Sequence, residues 1–353
     1  AEVYAARGNA FFATGTNDGQ ARVDLAVAIN FEPQNPLYHV YLGNFYRSRA
    51  PEAAIMEFGQ AIQLDPQLAL TYIYRGQHYL DVGEFQRAIQ DFDRAIRLDP
   101  QSALAYNGRG YYYLAQDQPQ RAVADFGDAI RLNPQLAEAY TGRGQAYNAL
   151  GLHRQATTDL QHSIAITENR PESPADRLEY AKALYLQGEA HLDLGQLEES
   201  ARALEQSLSI DFASPWVSNA LVDLQEAYAG LGRPDTVGYF DEILDQNPND
   251  VIAIYNRGLT YSRLGQPERA VADFGRSIAL GFRSAEVYAA RGNAFFATGT
   301  NDWQARVDLA VAIGKEPQNP LFHAYLGNFY RSRAPEAAIM EFDQAIQLDP
   351  QLA

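Results

Sequence analysis

The sequence predicts an all-α fold made of stacked helical hairpins. Small, aromatic and proline positions recur every 34 residues, as a comparison of residues 72–100 with residues 106–134 shows. Within each repeat, apolar residues follow i, i+3, i+4, i+7 spacing on two segments, which is typical of two amphipathic helices. The period runs through essentially all of the 353 residues. This predicts a solenoid rather than separate globular cores.

Each predicted hairpin is bounded by residues that stop helices. A glycine or polar turn separates the first helix (helix A) from the second (helix B), as at Gly83 and Gly151. Helix B is closed by an Asp-Pro or Asn-Pro pair, because proline cannot continue a helix. The closing prolines are Pro66, Pro100, Pro134, Pro248 and Pro350.

Seven anchor positions recur at fixed offsets. In the third repeat they are Tyr72, Gly76, Tyr79, Ala88, Phe92, Ala95 and Pro100. In the fourth they are Tyr106, Gly110, Tyr113, Ala122, Phe126, Ala129 and Pro134. This pattern resembles the tetratricopeptide repeat (TPR) family in its bacterial form. The resemblance implies a right-handed superhelix of about ten repeats, with a concave groove lined by the A helices.

The position of the glycine anchor occurs once in each repeat and therefore gives the number of repeats. It falls at Gly8, Gly43, Gly76, Gly110, Gly144, Gly188, Gln225, Gly258, Gly292 and Gly327. The sixth and seventh repeats depart from the pattern. An insertion at residues 168–175 precedes the sixth, which has Ser200 and Ser207 in place of alanine, and the seventh has Gln225 in place of glycine. Local geometry is therefore expected to be irregular there.

Residues 285–353 duplicate residues 1–69 with six differences in 69 positions. The differing pairs are Gly19/Trp303, Asn30/Gly314, Phe31/Lys315, Tyr38/Phe322, Val40/Ala324 and Gly59/Asp343. The offset of 284 residues spans eight repeats, so residues 285–353 begin a second 284-residue module. We expect one TPR solenoid over residues 1–353, cut from a longer repeating array.

Six repeats combine an arginine before the glycine anchor with an aspartate before the helix B anchor. Aspartate does not occur at its position without that arginine, so we predict ion pairs between the two helices. The pairs are Arg7–Asp24, Arg75–Asp91, Arg109–Asp125, Arg143–Asp159, Arg257–Asp273 and Arg291–Asp308. Two roles remain open, which are bracing of the hairpin and presentation of a charged ladder to a ligand.

The groove implied by the resemblance has its own candidate residues for partner binding. They are Asn44, Gln77, Asn107, Tyr111, Gln145, Asn148, Tyr255, Asn293 and Asn328. Such a groove could hold an extended peptide or be solvated. Family members that clamp a peptide carboxylate use a Lys and an Asn four residues apart. Here the Lys is missing, since Ala5 and Ala289 precede Asn9 and Asn293.

Composition argues against several functional classes. The chain has no cysteine, its only lysines are Lys182 and Lys315, and its six histidines show no metal-ligand spacing. These histidines are expected on helix surfaces or in the groove. We therefore predict no catalytic residue, no cofactor and no metal. The net charge of −16 opposes nucleic-acid binding, and no apolar run is long enough for membrane insertion.

Two functions fit these observations. The first is a non-catalytic structural scaffold that assembles with itself into a fibre, either as a covalent array or by exchange of the duplicated ends. The second is an adaptor that binds a protein or peptide in the groove. A bacterial cytoplasm and an extracellular or surface fibre are both compatible with the sequence.

Overall fold

The computed structural model describes residues 1–14, 18–168, 174–210, 214, 216–232, 235–299 and 301–349. These residues form helices, turns and bends and no strand, which confirms the predicted all-α fold. The chain divides into two compact units, Ala1–Gln196 and Leu197–Ala353. The single solenoid expected over residues 1–353 stays a prediction.

The first unit holds five consecutive hairpins and one further helix. Its helices are α1 (Glu2–Thr14), α2 (Asp18–Phe31), α3 (Pro36–Tyr46), α4 (Pro51–Leu64), α5 (Ala69–Asp81), α6 (Phe85–Leu98), α7 (Ala103–Ala115), α8 (Pro119–Leu132), α9 (Ala137–Ala149), α10 (His153–Thr167) and α11 (Pro174–Asp193).

The second unit holds the remaining helices. They are α12 (Leu197–Ile210), α13 (Val217–Leu231), α14 (Thr236–Gln246), α15 (Val251–Arg263), α16 (Pro267–Ala279), α17 (Ala285–Thr298), α18 (Asp302–Lys315), α19 (Pro320–Tyr330) and α20 (Pro335–Leu348).

The helix ends follow the turn chemistry of the sequence. Gly83 and Gly151 adopt φ of 75° and 69° between the two helices of their hairpins, a left-handed conformation that glycine tolerates best. In the fourth repeat Asp117 takes this position with φ of 51°, as a short polar residue can. α4, α6 and α8 end two residues before Pro66, Pro100 and Pro134. Pro350 lies outside the described residues.

One large apolar side chain of helix B packs against the glycine anchor of its hairpin, and it is phenylalanine in the third and fourth repeats and leucine (Leu25, Leu160, Leu309) in the first, fifth and ninth. Phe92 on α6 is fully buried. A Cβ added at Gly76 on α5 would lie 2.9 Å from its ring, and one at Gly108 on α7 would lie 2.4 Å from it. Both glycines therefore let a backbone approach the ring more closely than any side chain would allow. Phe126 occupies the same place between Gly110 and Gly142.

The irregular part of the pattern coincides with the division between the units. The boundary falls between α11 and α12, which the sequence assigns to one repeat. α11 has 20 residues, against 11 to 15 in the other helices described. Residues 169–173 of the insertion lie outside the described residues. Ser200 and Ser207, which replace alanine, are buried in α12.

Candidate functional site

The six predicted Arg–Asp pairs all lie within hydrogen-bonding distance. In each pair the arginine Nε donates to one carboxylate oxygen at 2.5 to 2.8 Å. Its Nη2 donates to the other oxygen at 2.7 to 2.9 Å. This fork geometry is the strong, directional form of an ion pair. Each pair joins the A and B helices of one hairpin.

The aspartates of these pairs are buried, whereas the arginines reach the surface. Asp125 is 5% exposed, and the Arg109 side chain is 21% exposed. The hydrogen bond to Asp125 raises the pKa of the Arg109 guanidinium, although burial opposes this. Arg143 also lies beneath the rings of Tyr140 and Tyr147, 6.0 and 5.9 Å from their centroids. The geometry thus favours bracing, because the charge of each aspartate is covered.

Two arginines reach across to the preceding repeat as well. Arg109 Nη1 donates to Asp93 on α6 at 2.8 Å, and Arg257 Nη1 donates to Asp241 on α14 at 2.6 Å. Asp93 follows the buried Phe92, and Asp241 follows the buried Phe240. The residue after the helix B phenylalanine therefore faces the arginine of the next repeat.

The second and tenth repeats, which lack the arginine, use a histidine instead. His39 Nδ1 lies 2.7 Å from Glu57, and His323 Nδ1 lies 2.7 Å from Glu341. Both glutamates stand where six other repeats have aspartate. Sequence reasoning missed these pairs, although an acid without its arginine was a signal that another base was present.

Three histidines correct the expectation that all six lie on helix surfaces or in the groove. His39 and His323 are each 8% exposed, and His78 is 2% exposed. The His78 ring lies 6.5 Å from the Phe58 ring, and burial lowers the pKa of His78. These side chains belong to the interior because each packs between neighbouring helices.

The groove candidates of the first unit are largely engaged within the protein. Gln77 accepts from Arg47 at 2.6 Å, and Tyr111 donates to the Glu138 carbonyl at 2.9 Å. Asn148 donates to the Leu186 carbonyl at 3.0 Å.

Exposure separates the remaining groove candidates of the first unit. Asn107 is 6% exposed, which corrects its place on a groove surface. Asn44 and Gln145 are half-buried.

In the second unit the three remaining groove candidates differ from one another. Tyr255 is 4% exposed, and its ring lies 5.7 Å from that of Phe274. This corrects its predicted place in the groove, because the ring fills the core between α15 and α16. Asn293 is half-buried and Asn328 is exposed. These three residues therefore differ in their access to solvent.

A cluster of charged side chains lies beside Tyr111 in the first unit. The Lys182 amine is 5.1 Å from the Tyr111 ring centroid. Burial lowers the pKa of Lys182 and raises that of Glu179, against their mutual attraction. Glu179 Oε1 is buried and accepts no hydrogen bond of normal geometry from a described residue. Sequence analysis did not single out this pair, because nothing in the repeat pattern places α11 against α7.

The duplicated helices α1 and α17 present the same residues in different surroundings. Val287 on α17 is fully buried in a cluster with Tyr255 and Phe274, whereas Val3 on α1 is 80% exposed. The face of α17 that packs on α16 is therefore uncovered on α1.

The outer face of α20 is uncovered in the same way. Ile339 and Ile346 are 60% and 48% exposed. Phe342 is only partly buried, whereas the equivalent Phe58 and Phe274 are fully buried. An apolar row on the last described helix thus meets solvent.

A cleft lies in the second unit between α12, α14 and α15. It is lined by Leu208, Tyr239, Phe240, Ile252 and Asn256, among others. Burial raises the pKa of Tyr239 to about 12. The Asn256 side chain donates weakly to the Leu208 carbonyl at 3.4 Å.

Across the described ranges, no three metal-binding side chains come together. A search of the same residues finds no helix with the length and apolar character required to traverse a bilayer.

Comparison with known proteins agrees with the repeat pattern. Family models described as tetratricopeptide repeat match residues 75–136, 108–174, 181–214 and 239–272. The curated proteins contain no match to this chain.

Several solved structures are similar. The MamA protein is 24% identical, over 50% of this chain and 91% of that chain, with a TM-score of 0.40. YrrB, described as a TPR protein with an unusual peptide-binding site, is 22% identical, over 64% of this chain and 92% of YrrB, with a TM-score of 0.35. PilF of Pseudomonas aeruginosa is 18% identical, over 65% of this chain and 96% of PilF, with a TM-score of 0.49.

Proposed function

Because the chain belongs to the tetratricopeptide repeat family, and is thereby a protein-interaction scaffold, we propose that it assembles head to tail with further molecules of itself. In this assembly the outer face of α20 in one molecule packs on the face of α1 in the next. The role is structural and non-catalytic. Repetition of one heterologous contact that does not close into a ring builds a filament.

The observation that carries this proposal is the packing of α17 on α16, because α1 has the same sequence as the matching part of α17. Val287, the counterpart of Val3, is fully buried there. In α17 the covering surface is supplied by Phe274, with Val271 and Ile278 at its edges. The residues of α1 therefore fit a helix of this kind.

α20 offers the matching surface. Its Ile339, Phe342 and Ile346 stand 68 residues after Val271, Phe274 and Ile278, at the same positions of helix B. The row on α20 is apolar and largely exposed. Contiguous apolar surface of this kind commonly marks an interaction site. Placing α20 of one molecule against α1 of another repeats the α16–α17 contact with equivalent residues.

The test measures association of the 353-residue chain by sedimentation velocity and negative-stain electron microscopy. Between about 1 µM and about 500 µM, a span covering weak interfaces, the average mass should rise, and filaments should form. Val3→Glu and Ile339→Glu should each abolish this rise without changing the melting temperature.

Met340→Glu is the matched control. Met340 is 73% exposed and the equivalent Met56 is 74% exposed although α4 has a following repeat, so this position does not face a neighbour. The Met340 variant should associate like the parent chain. A parent chain that stays monomeric over the whole range would overturn the proposal.

A second candidate is peptide capture by the concave face of the first unit. It is favoured by Glu179, which lies in the same cluster as Lys182 and Tyr111. Its Oε1 accepts no hydrogen bond of normal geometry from a described residue, and Thr141 is the one side chain that stabilises its ionised form by a hydrogen bond. An incoming amide or ammonium group would satisfy that oxygen.

Panning a random peptide library tests this second candidate. The parent chain should enrich a defined peptide family, and Glu179→Gln with Lys182→Met should not. Equal enrichment by both chains would exclude this site.

A further inference from the structure

We propose that the cleft between α12, α14 and α15 binds a small neutral alcohol or phenol, whose hydroxyl donates a hydrogen bond to Asn256 Oδ1. The walls of this cleft come from the sixth, seventh and eighth repeats, which have further repeats on both sides along the chain. Binding of such a ligand does not depend on the head-to-tail association proposed above, so either proposal can fail while the other stands.

The acceptor for the ligand is the side-chain oxygen of Asn256. This residue is fully buried, and its Oδ1 has no hydrogen-bond partner among the described residues. Its Nδ2 donates to the Leu208 carbonyl at 3.4 Å, and both residues line the cleft. Because a carbonyl can only accept, this bond fixes which atom of the amide is the nitrogen. A buried acceptor without a partner is unfavourable, so a donor that reaches it through the cleft gains binding free energy.

The position of Asn256 in the repeat shows how it departs from the packing pattern. It lies two residues before the glycine anchor, where the fourth and fifth repeats have Gly108 and Gly142. A Cβ added at either glycine would lie 2.4 Å from the phenylalanine ring of the preceding helix B. No other repeat has an amide at this position. Asn256 reaches past the preceding helix B, α14, to the Leu208 carbonyl on α12.

The seventh repeat accounts for the cleft. Its glycine anchor is replaced by Gln225, whose Oε1 accepts from the backbone N–H and the hydroxyl of Thr236, both at 3.0 Å. A side chain thus stands where helix B packs against glycine in other repeats, and α14 packs less extensively on α13 than α16 does on α15. α14 leaves a gap towards α12 and α15, with Tyr239 and Phe240 on its wall.

The lining of the cleft determines the class of ligand. Most of its side chains are apolar, and the described residues that line it include no lysine, arginine or histidine. Asp250 adds a negative charge while it caps α15 through the N–H groups of Ile252 and Ala253. An anionic ligand is therefore disfavoured. A neutral ligand with an apolar body and one donor matches both the walls and the acceptor.

The volume of the cleft limits how much of the ligand enters it. The cleft encloses about 70 Å³. An apolar cavity of about 150 Å³ holds a whole benzene molecule. The cleft therefore takes a hydroxyl together with a short alkyl chain or part of one ring, and the rest of the ligand lies at its opening.

The test compares phenol with toluene, which has a similar shape and no hydroxyl. Ligand-observed NMR titrations of the 353-residue chain, up to about 5 mM ligand, cover the millimolar affinities expected of so small a molecule. Phenol should bind at least about tenfold more tightly than toluene, because toluene leaves Asn256 Oδ1 without a partner. Equal affinities, or no binding of phenol in this range, would overturn the proposal.

Two variants locate the binding site. Asn256→Leu keeps the size of the side chain and removes the acceptor, so phenol should bind about tenfold more weakly and toluene no more weakly. Asn107→Leu is the matched control, because Asn107 lies in the first unit and its Oδ1 is likewise buried without a partner among the described residues. This control should bind phenol like the parent chain.

Melting temperatures of both variants show whether they fold. If Asn256→Leu does not fold, the comparison of phenol with toluene on the parent chain decides the question alone. If Asn256→Leu folds and binds phenol as tightly as the parent chain, phenol binds elsewhere and the assigned acceptor is wrong.

Discussion

The two duplicates, residues 1–69 and 285–353, differ in burial far more than in sequence. Val3 is 80% exposed and Val287 is fully buried. Phe58 is fully buried, whereas Phe342 is only partly so. One duplicate lacks a cover on its first helix and the other lacks one on its last. In a repeat protein, whether a side chain is buried therefore depends on the presence of a neighbouring repeat as much as on the residue type.

Features within a hairpin are unchanged between the duplicates. His39 and His323 have the same 8% exposure. The helix caps at Asn35 and Asn319 each accept from the backbone N–H two residues later, at 3.1 and 3.2 Å. The local sequence therefore determines the structure of each hairpin, whereas the stacking of the repeats determines which of its side chains are buried.

The largest effect is expected from a charge placed at the paired valines. Val287→Glu should lower the free energy of unfolding by about 3 kcal/mol or more, because it buries an unpaired carboxylate. Val3→Glu should change it by less than about 0.5 kcal/mol, as at an exposed site. Urea denaturation of dilute protein checks this. An equal loss of unfolding free energy in the two variants would show that Val3 and Val287 are buried to the same extent.

The paired phenylalanines should give the next effect. Phe58→Ala should lower the free energy of unfolding by about 3 to 5 kcal/mol, the usual range for loss of a fully buried ring. Phe342→Ala should cost less than half of that in dilute protein, because one side of its ring already meets solvent. Calorimetry of the two variants measures the difference. A greater loss for Phe342→Ala would contradict the assigned burial.

Removing the arginine of the ion pair should have a smaller effect on stability. Arg291→Leu should lower the free energy of unfolding by about 3 kcal/mol, because it leaves Asp308 buried without its partner. Arg291→Leu with Asp308→Leu should recover part of that loss. Arg7→Leu should cost less, since the Arg7 side chain is 53% exposed. Melting curves of the four chains test the order, and a double variant no more stable than Arg291→Leu would argue against the pairing.

The smallest effect concerns pH. The hydrogen bond from Arg7 lowers the pKa of Asp24, although burial opposes this. A lowered folded pKa means that the ionised carboxylate adds stability above its unfolded pKa of about 3.9, and that this is lost as pH falls. Asp24→Asn should therefore lower the melting temperature at pH 7 and differ less from the parent chain in acid. A difference that does not change with pH would contradict this.

The repeat pattern predicted the helices well because the anchors act locally. Gly83, Gly151 and the closing prolines are helix-ending residues wherever they occur. The co-occurrence of Arg109 and Asp125 indicated a pair, and the structure puts them 2.7 Å apart. The histidine–glutamate pairs were not foreseen, because His39 lies at a different position on helix A from the arginine it replaces.

The groove was less predictable than the hairpins. Asn107 and Tyr255 share the spacing of groove residues and yet are buried, because the rotation between successive helices decides which side of helix A meets solvent. The cluster of Tyr111, Glu179 and Lys182 depends on α11, whose 20-residue length follows an insertion with no counterpart in the other repeats. A periodic pattern carries no information about such a departure.

The sequence by itself determined the hairpins, their 34-residue period, the ends of their helices and the aspartate that pairs with each of six arginines within its own hairpin. All of these depend on residues within one repeat, whose contacts are set by helix geometry. Only the tertiary structure decided that Val3 and the row from Ile339 to Ile346 are uncovered, and that Asp93 and Asp241 join one repeat to the next. Those properties depend on how successive repeats stack, and identical sequences cannot distinguish a face that has a neighbour from one that does not.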